Sequence, residues 1–151
     1  MLPIVLSVDD DPSSHILMRA FLEDEEFCEH FVSASSPSQG LEILQRLDAD
    51  PHSSLPTLIF CDIHMPEMSG WEFISRARPY LGDIDSNGHP ENSVVIMLTA
   101  TVTAEDEQLA SSNPLIHSVF EKPLNLKLLA QVRELDKLRS YFKSGARQTC
   151  F

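Results

Sequence analysis

The sequence predicts an α/β fold, a doubly wound five-stranded parallel sheet with five helices on its two faces, for which 2-1-3-4-5 is a known strand order. Two observations carry the α/β reading. Five short apolar or β-branched runs alternate along the chain with five stretches of helical apolar spacing, the pattern of parallel strands joined by right-handed helical crossovers. The 151 residues are one domain's worth, enough to bury roughly two-thirds of the unfolded surface and hold a core without disulfide or metal staples.

The first strand run is Pro3 to Val8. A helix follows with Ser13 as candidate N-cap and Ile16, Leu17, Ala20 and Phe21 as its apolar face. His30 to Ser33 is the second strand, and the helix after Ser38 carries Leu41, Leu44 and Leu47 with Ile43 beside them. Thr57 to Cys61 is the third strand, and Pro66, four residues past Asp62, makes a helix through that stretch unfavourable. The third helix begins near Gly70 and turns Trp71, Ile74 and Ala77 inward.

Ser93 to Leu98 and Ile116 to Phe120 are the last two strands, and a fourth helix runs between them from about Thr103 through Leu109. The fifth helix uses Leu128, Leu129, Val132, Leu135 and Leu138. The polar segment Gly82 to Asn92 is long for a connection in such a fold and reads as a protruding solvated loop. Its Asp83, Asp85, Asn87 and Gly88 imitate the start of a calcium loop, but Val94 stands where the bidentate glutamate belongs. The domain is expected over 1–140, with a tail over 141–151.

Eleven Lys and Arg against 23 Asp and Glu give a formal charge of −12, which opposes binding to nucleic acid or to anionic lipid. The start, MLPIVLSVDDD, has no basic region and runs into aspartates, unlike a signal peptide, and no run approaches the roughly 18 apolar residues of a membrane span. Cys28, Cys61 and Cys150 have no paired spacing, so neither disulfides nor a zinc site is indicated. The expectation is a cytoplasmic protein with Cys61 in the core.

Ligands of an open parallel sheet bind beyond the carboxyl ends of the strands. Asp9, Asp10 and Asp11 follow the first strand, Asp62 the third, Thr99 the fourth and Lys122 the fifth. Each has a plainer use alone. The aspartates before Pro12 suit a helix cap, Thr99 an ordinary strand end, and Lys122 a solvated surface. Their convergence at one sheet edge favours a site instead. Clustered carboxylates call for a hard divalent cation, Mg²⁺ above all, and an ionised aspartate can then attack phosphorus to form an aspartyl phosphate. Lysine and a threonine hydroxyl suit the transferring group.

These residues closely resemble the receiver domain of two-component response regulators, over about Ile4 to Leu138. The resemblance rests on VLSVDDDP, LIFCDIHMPEMSG, VVIMLTA and FEKPL, with Asp62, Met65, Pro66 and Gly70 at the family's spacing. It implies the flavodoxin-like sheet order and a phosphoaccepting role in a phosphorelay. Asp62 is then the phosphoacceptor. Asp10, Asp62 and the backbone carbonyl of His64 hold Mg²⁺ or Mn²⁺, with Asp9 acting through water. Thr99, the Ala100 backbone and Lys122 contact the phosphoryl group, and Pro123 is a candidate cis proline. The partners implied are a histidine kinase or histidine phosphotransfer protein, a downstream target protein and a second copy of the chain. Signalling rather than enzymatic turnover is expected, apart from the domain promoting its own phosphorylation and dephosphorylation, and the chain reads as a single-domain receiver.

Two positions set this chain apart. Val119 stands at the switch position where the family usually has Tyr or Phe, with Phe120 next to it, and His64 occupies a position that in the family influences the phosphate's lifetime. Two alternatives remain at this stage. One is a receiver-like protein-binding module that is never phosphorylated. The other is a haloacid-dehalogenase-like phosphohydrolase built on Asp9-x-Asp11, Thr99 and Lys122, which lacks an acidic pair after a further strand and leaves Asp62 unexplained.

Overall fold

The computed structural model describes residues 1–142; of the expected tail, 143–151 lie outside the described residues. Five parallel strands form one sheet in the order β2-β1-β3-β4-β5, as predicted. They are β1 (Leu2–Val8), β2 (Cys28–Ala34), β3 (Leu58–Asp62), β4 (Val94–Thr99) and β5 (Ser118–Glu121). The helices are α1 (Pro12–Asp24), α2 (Pro37–Ala49), α3 (Gly70–Ala77), α4 (Ala104–Ser112) and α5 (Leu126–Arg133), with a 3-10 turn at Arg78–Tyr80.

The three central strands are buried almost throughout, whereas the edge strands β2 and β5 are largely half-exposed. That is why the central runs read as continuously apolar: a parallel strand covered on both faces has no side left for polar residues. Alternate residues feed two cores. Leu6, Ile59, Cys61, Val95 and Met97 meet Leu44, Phe73, Ile74 and Ala110 on one face. Val5, Leu58, Phe60, Ile96 and Leu98 meet Met18, Leu22, Leu128, Leu129 and Val132 on the other.

The structure corrects the predicted face of α1. Ile16 and Leu17 are each 69% exposed, and the residues turned inward are His15, Met18 and Leu22. The cap is Asp11, whose carboxylate accepts the Ser13 N–H at 3.0 Å, with Pro12 at the first helical position. Ser13 therefore lies inside the helix. Likewise Ser36 rather than Ser38 caps α2, accepting the Gln39 N–H at 3.1 Å. In α3 the fully buried aromatic is Phe73, with Trp71 half-buried beside the same core. Thr103 and Asp106 close a reciprocal capping box at the start of α4.

Helix α5 stops at Arg133, short of the predicted span, yet Leu138 is still buried. Leu135 and Leu138 reach the core from the turn that follows, and Lys137 there donates to the Pro90 carbonyl. The Gly82 to Asn92 segment is more tied down than a solvated loop. Ile84 and Pro90 pair across a small hairpin, and His89 Nδ1 lies 3.0 Å from the Pro114 carbonyl. Asp85 Oδ1 is taken up by the Asn87 and His89 amides at 2.9 Å each, so this carboxylate shapes the turn.

Candidate phosphoacceptor and metal site

Strand pairing assembles the site. Val8 lies opposite Cys61, which sets Asp9 and Asp62 side by side just past those residues. Leu98 lies opposite Asp62, so Thr99 stands one step beyond it at the end of β4. Glu121 lies opposite Thr99, and the next residue, Lys122, donates its N–H to the Thr99 carbonyl at 2.8 Å. All four predicted strand ends therefore meet at one edge, with Ala100 exposed immediately past Thr99. The Lys122–Pro123 peptide bond is cis, as the resemblance implies. Val119 lies inside β5, half-buried against the core on the α2, α3 and α4 face.

Carboxylate oxygens of Asp9, Asp10 and Asp62 lie within 4.8 Å of one another. Asp9 and Asp62 are buried and Asp10 is exposed. The Lys122 ammonium donates to Asp9 Oδ2 at 2.7 Å and lies 3.6 Å from Asp62 Oδ2. One lysine against three carboxylates leaves the ionised site two positive charges short. An all-oxygen donor set with that deficit fits a hard divalent cation such as Mg²⁺. Asp11 does not join the cluster, because its carboxylate caps α1.

Burial raises the Asp62 carboxyl above its ordinary value; Lys122 pulls it back down, Asp9 adds to the rise, the His64 amide opposes it and Asp10 again adds to it. Burial works against the Lys122 charge, but its hydrogen bond to Asp9 and the charges of Asp9 and Asp62 outweigh that and hold the ammonium above the usual lysine value. The neighbouring Cys61 thiol is pushed well up by complete burial, then by Asp62 and Asp9, which makes it an inert core group as expected.

A carboxyl raised in the folded state stabilises the fold below its ordinary pKa, and that contribution is lost as pH rises through the raised value. Asp62→Asn is therefore expected to raise the melting midpoint of metal-free protein at neutral pH, with the gap closing toward acid. Thermal melts in EDTA between about pH 3 and about pH 7.5 check this, each kcal/mol recovered moving the midpoint about 2–4 °C. A gap that stays constant across that range would contradict it.

The loop after Asp62 is tied down by local contacts. Met65 is buried in the core, whereas His64 and Pro66 face outward. Ser69 caps α3 by accepting the Glu72 N–H at 3.2 Å, and the Gly70 N–H donates to the Ile63 carbonyl at 2.8 Å. Gly70 leaves no free space for a side chain here. A Cβ on it would stand 2.2 Å from the Asp62 carbonyl oxygen. Asp10, Ile63, His64, Met65, Pro66 and Ser69 line a hollow of about 350 Å³ beside the acids. A second hollow, about 230 Å³ and mostly apolar, lies beside Asp9 and Lys122 against Leu17, Met18 and Phe21. Another, about 460 Å³, opens at the opposite ends of the strands between His89, His117 and Lys137, away from the acids.

Two supports escaped the sequence reading. Ser38 donates to Glu67 in the loop after Asp62, a contact with no local signal. His15 backs Asp9 from inside α1; its position in line with Met18 and Leu22 was the available sign.

The family model for the response regulator receiver domain matches residues 5–134. The chain belongs to this family. Receivers are signalling domains rather than classical enzymes, and the acidic cluster is where one would hold its metal. The chain is 36% identical over 131 residues to an uncharacterized 14.6 kDa protein of Leptolyngbya boryana, covering 86% of this chain and 87% of that one. It is 35% identical over 125 residues to a "Probable cyclic di-GMP phosphodiesterase" of Vibrio cholerae, covering 83% of this chain but 24% of that protein. A crystal structure of a two component response regulator from Cytophaga hutchinsonii superposes with a TM-score of 0.74 at 24% identity, over 87% of this receiver and 93% of that chain, a likeness of fold. Among the described residues no helix is long and apolar enough to cross a membrane.

Proposed function

We propose that Asp62 accepts a phosphoryl group from the phosphohistidine of a histidine kinase or histidine phosphotransfer protein, and that a partner protein reads the product. The observation that carries this is a buried carboxylate at the end of β3, 3.6 Å from the Lys122 ammonium and within 4.8 Å of two further acids. In the transfer, an Asp62 oxygen forms its bond to phosphorus as the phosphorus–nitrogen bond to the donor breaks. Asp10, Asp62 and the His64 carbonyl would hold Mg²⁺ or Mn²⁺, with Asp9 through water, and the bound ion would supply the missing positive charge. Lys122 balances charge on the transferring group, while the Thr99 hydroxyl and the Ala100 amide bond its oxygens. The same groups serve both the formation and the loss of the phosphate.

Ile16 and Leu17, each 69% exposed, and the apolar hollow beside Lys122 give a phosphodonor protein a surface next to the acceptor. Phosphorylation then biases a two-state surface on α4, β5 and α5, read by a downstream protein or a second copy of the chain. Val119 occupies the switch position in β5. These reactions belong to the cytoplasm.

Incubation with Mg²⁺ and acetyl phosphate, followed by intact-mass measurement beside Asp62→Asn, tests the proposal. The parent is expected to gain one phosphoryl group and the variant none. No gain by a folded parent would favour a binding module that works without phosphorylation.

A further inference from the structure

His15 is a buried polar residue for which the chemistry above has no task. It lies on the inner face of α1 at 7% exposure, among apolar residues. Its Nε2 is 2.7 Å from the Asp9 carbonyl oxygen and 3.1 Å from the Ala34 carbonyl oxygen. Both are acceptors only, so Nε2 must carry the proton and donate to both. Nδ1 has no hydrogen-bond partner among the described residues.

Asp9 is held at every polar group it has. Its N–H donates to the Ala34 carbonyl at 3.0 Å, its Oδ1 accepts the Asp11 N–H at 2.9 Å, and its Oδ2 accepts from Lys122 at 2.7 Å. The remaining group, the carbonyl, belongs to the peptide that joins Asp9 to Asp10, and His15 is what grips it. Asp10 is exposed, so the aim of its carboxylate depends on that peptide plane. The same imidazole ties the plane to the end of β2 through Ala34, which locks α1, β1 and β2 together behind the two acids.

We infer that His15 is a positioning residue: it orients the Asp9–Asp10 peptide so that both carboxylates are set for a divalent cation. This rests on the receiver reading. Removing its N–H leaves a buried carbonyl short of a donor and frees the peptide to rotate. Hydrogen-bond partners one layer behind a metal site typically alter metal affinity 10–100-fold when lost. A histidine that merely filled space would be replaceable by an apolar side chain without any effect on ion binding.

The experiment titrates Mg²⁺ calorimetrically into the full chain and into His15→Leu and His15→Gln, with melts in EDTA to confirm folding. Glutamine places an amide N–H about where imidazole Nε2 stands, so it keeps the donor, whereas leucine keeps only bulk. His15→Leu is expected to bind Mg²⁺ about tenfold more weakly and His15→Gln to stay near the parent. Should His15→Leu fail to fold, His15→Phe, which retains a ring without a donor, serves the same comparison. Equal affinity in all three proteins, or an equal loss in both variants, would overturn the inference. A parent that takes no phosphoryl group while His15→Leu still weakens Mg²⁺ binding would sink the phosphoacceptor reading and leave the positioning role standing.

Discussion

Lys122→Ala is expected to slow phosphoryl transfer from acetyl phosphate to Asp62 by about 10²–10³-fold, the usual loss when one pre-aimed donor to a developing charge is removed. The ammonium is the only cation that the described residues bring to the acids, 2.7 Å from Asp9 and 3.6 Å from Asp62. Half-buried and held charged by those two carboxylates, it needs little rearrangement to follow charge onto a transferring group. The affinity for Mg²⁺ should move the other way. Taking a positive charge out of a cluster of three acids removes a competitor for the ion, so Lys122→Ala should bind Mg²⁺ at least as tightly as the parent. Stopped-time mass measurement and calorimetry on the same preparation check both halves. A parallel loss of binding and transfer would mean that Lys122 supports the site's shape instead of the chemistry.

Gly70→Ala is expected to destabilise the fold by about 1–3 kcal/mol, as inserting a methyl into a filled space does. The added carbon would stand 2.2 Å from the Asp62 carbonyl oxygen and 2.7 Å from the Met97 side chain. The methionine can move aside. The carbonyl belongs to the acceptor's own backbone, and the Gly70 N–H is bonded one residue further on, to Ile63. Relief must therefore shift Asp62 relative to Asp9 and Lys122, and slower phosphorylation should accompany the loss of stability. Urea melts and transfer kinetics on the variant measure the two effects; lowered stability with unchanged transfer would show that the loop relaxes away from Asp62.

Much of this was legible along the chain because it is written in local terms. The central strands announce themselves as unbroken apolar runs, since both faces of β1, β3 and β4 are covered. The site residues follow the ends of those strands, and their proximity follows once the sheet order is known. Helix faces were less legible where apolar residues encircle the helix. His15, Ile16, Leu17, Met18, Phe21 and Leu22 on α1 offer two candidate faces, and propensity does not choose between them. Docking on the sheet turned His15, Met18 and Leu22 inward, where the imidazole meets the Asp9 and Ala34 carbonyl groups.

The sequence by itself determined the α/β class and which acids, hydroxyl and lysine stand at strand ends, because periodicity and spacing are properties of neighbouring residues, while the strand order came with the family resemblance. Tertiary structure alone decided what those groups do to one another. The Lys122–Asp9 pair joins residues 113 apart, and the raised Asp62 carboxyl exists only where burial and two further carboxylates coincide. Charge interactions depend on distance and on exclusion from water, and both are set when separate strands pack edge to edge.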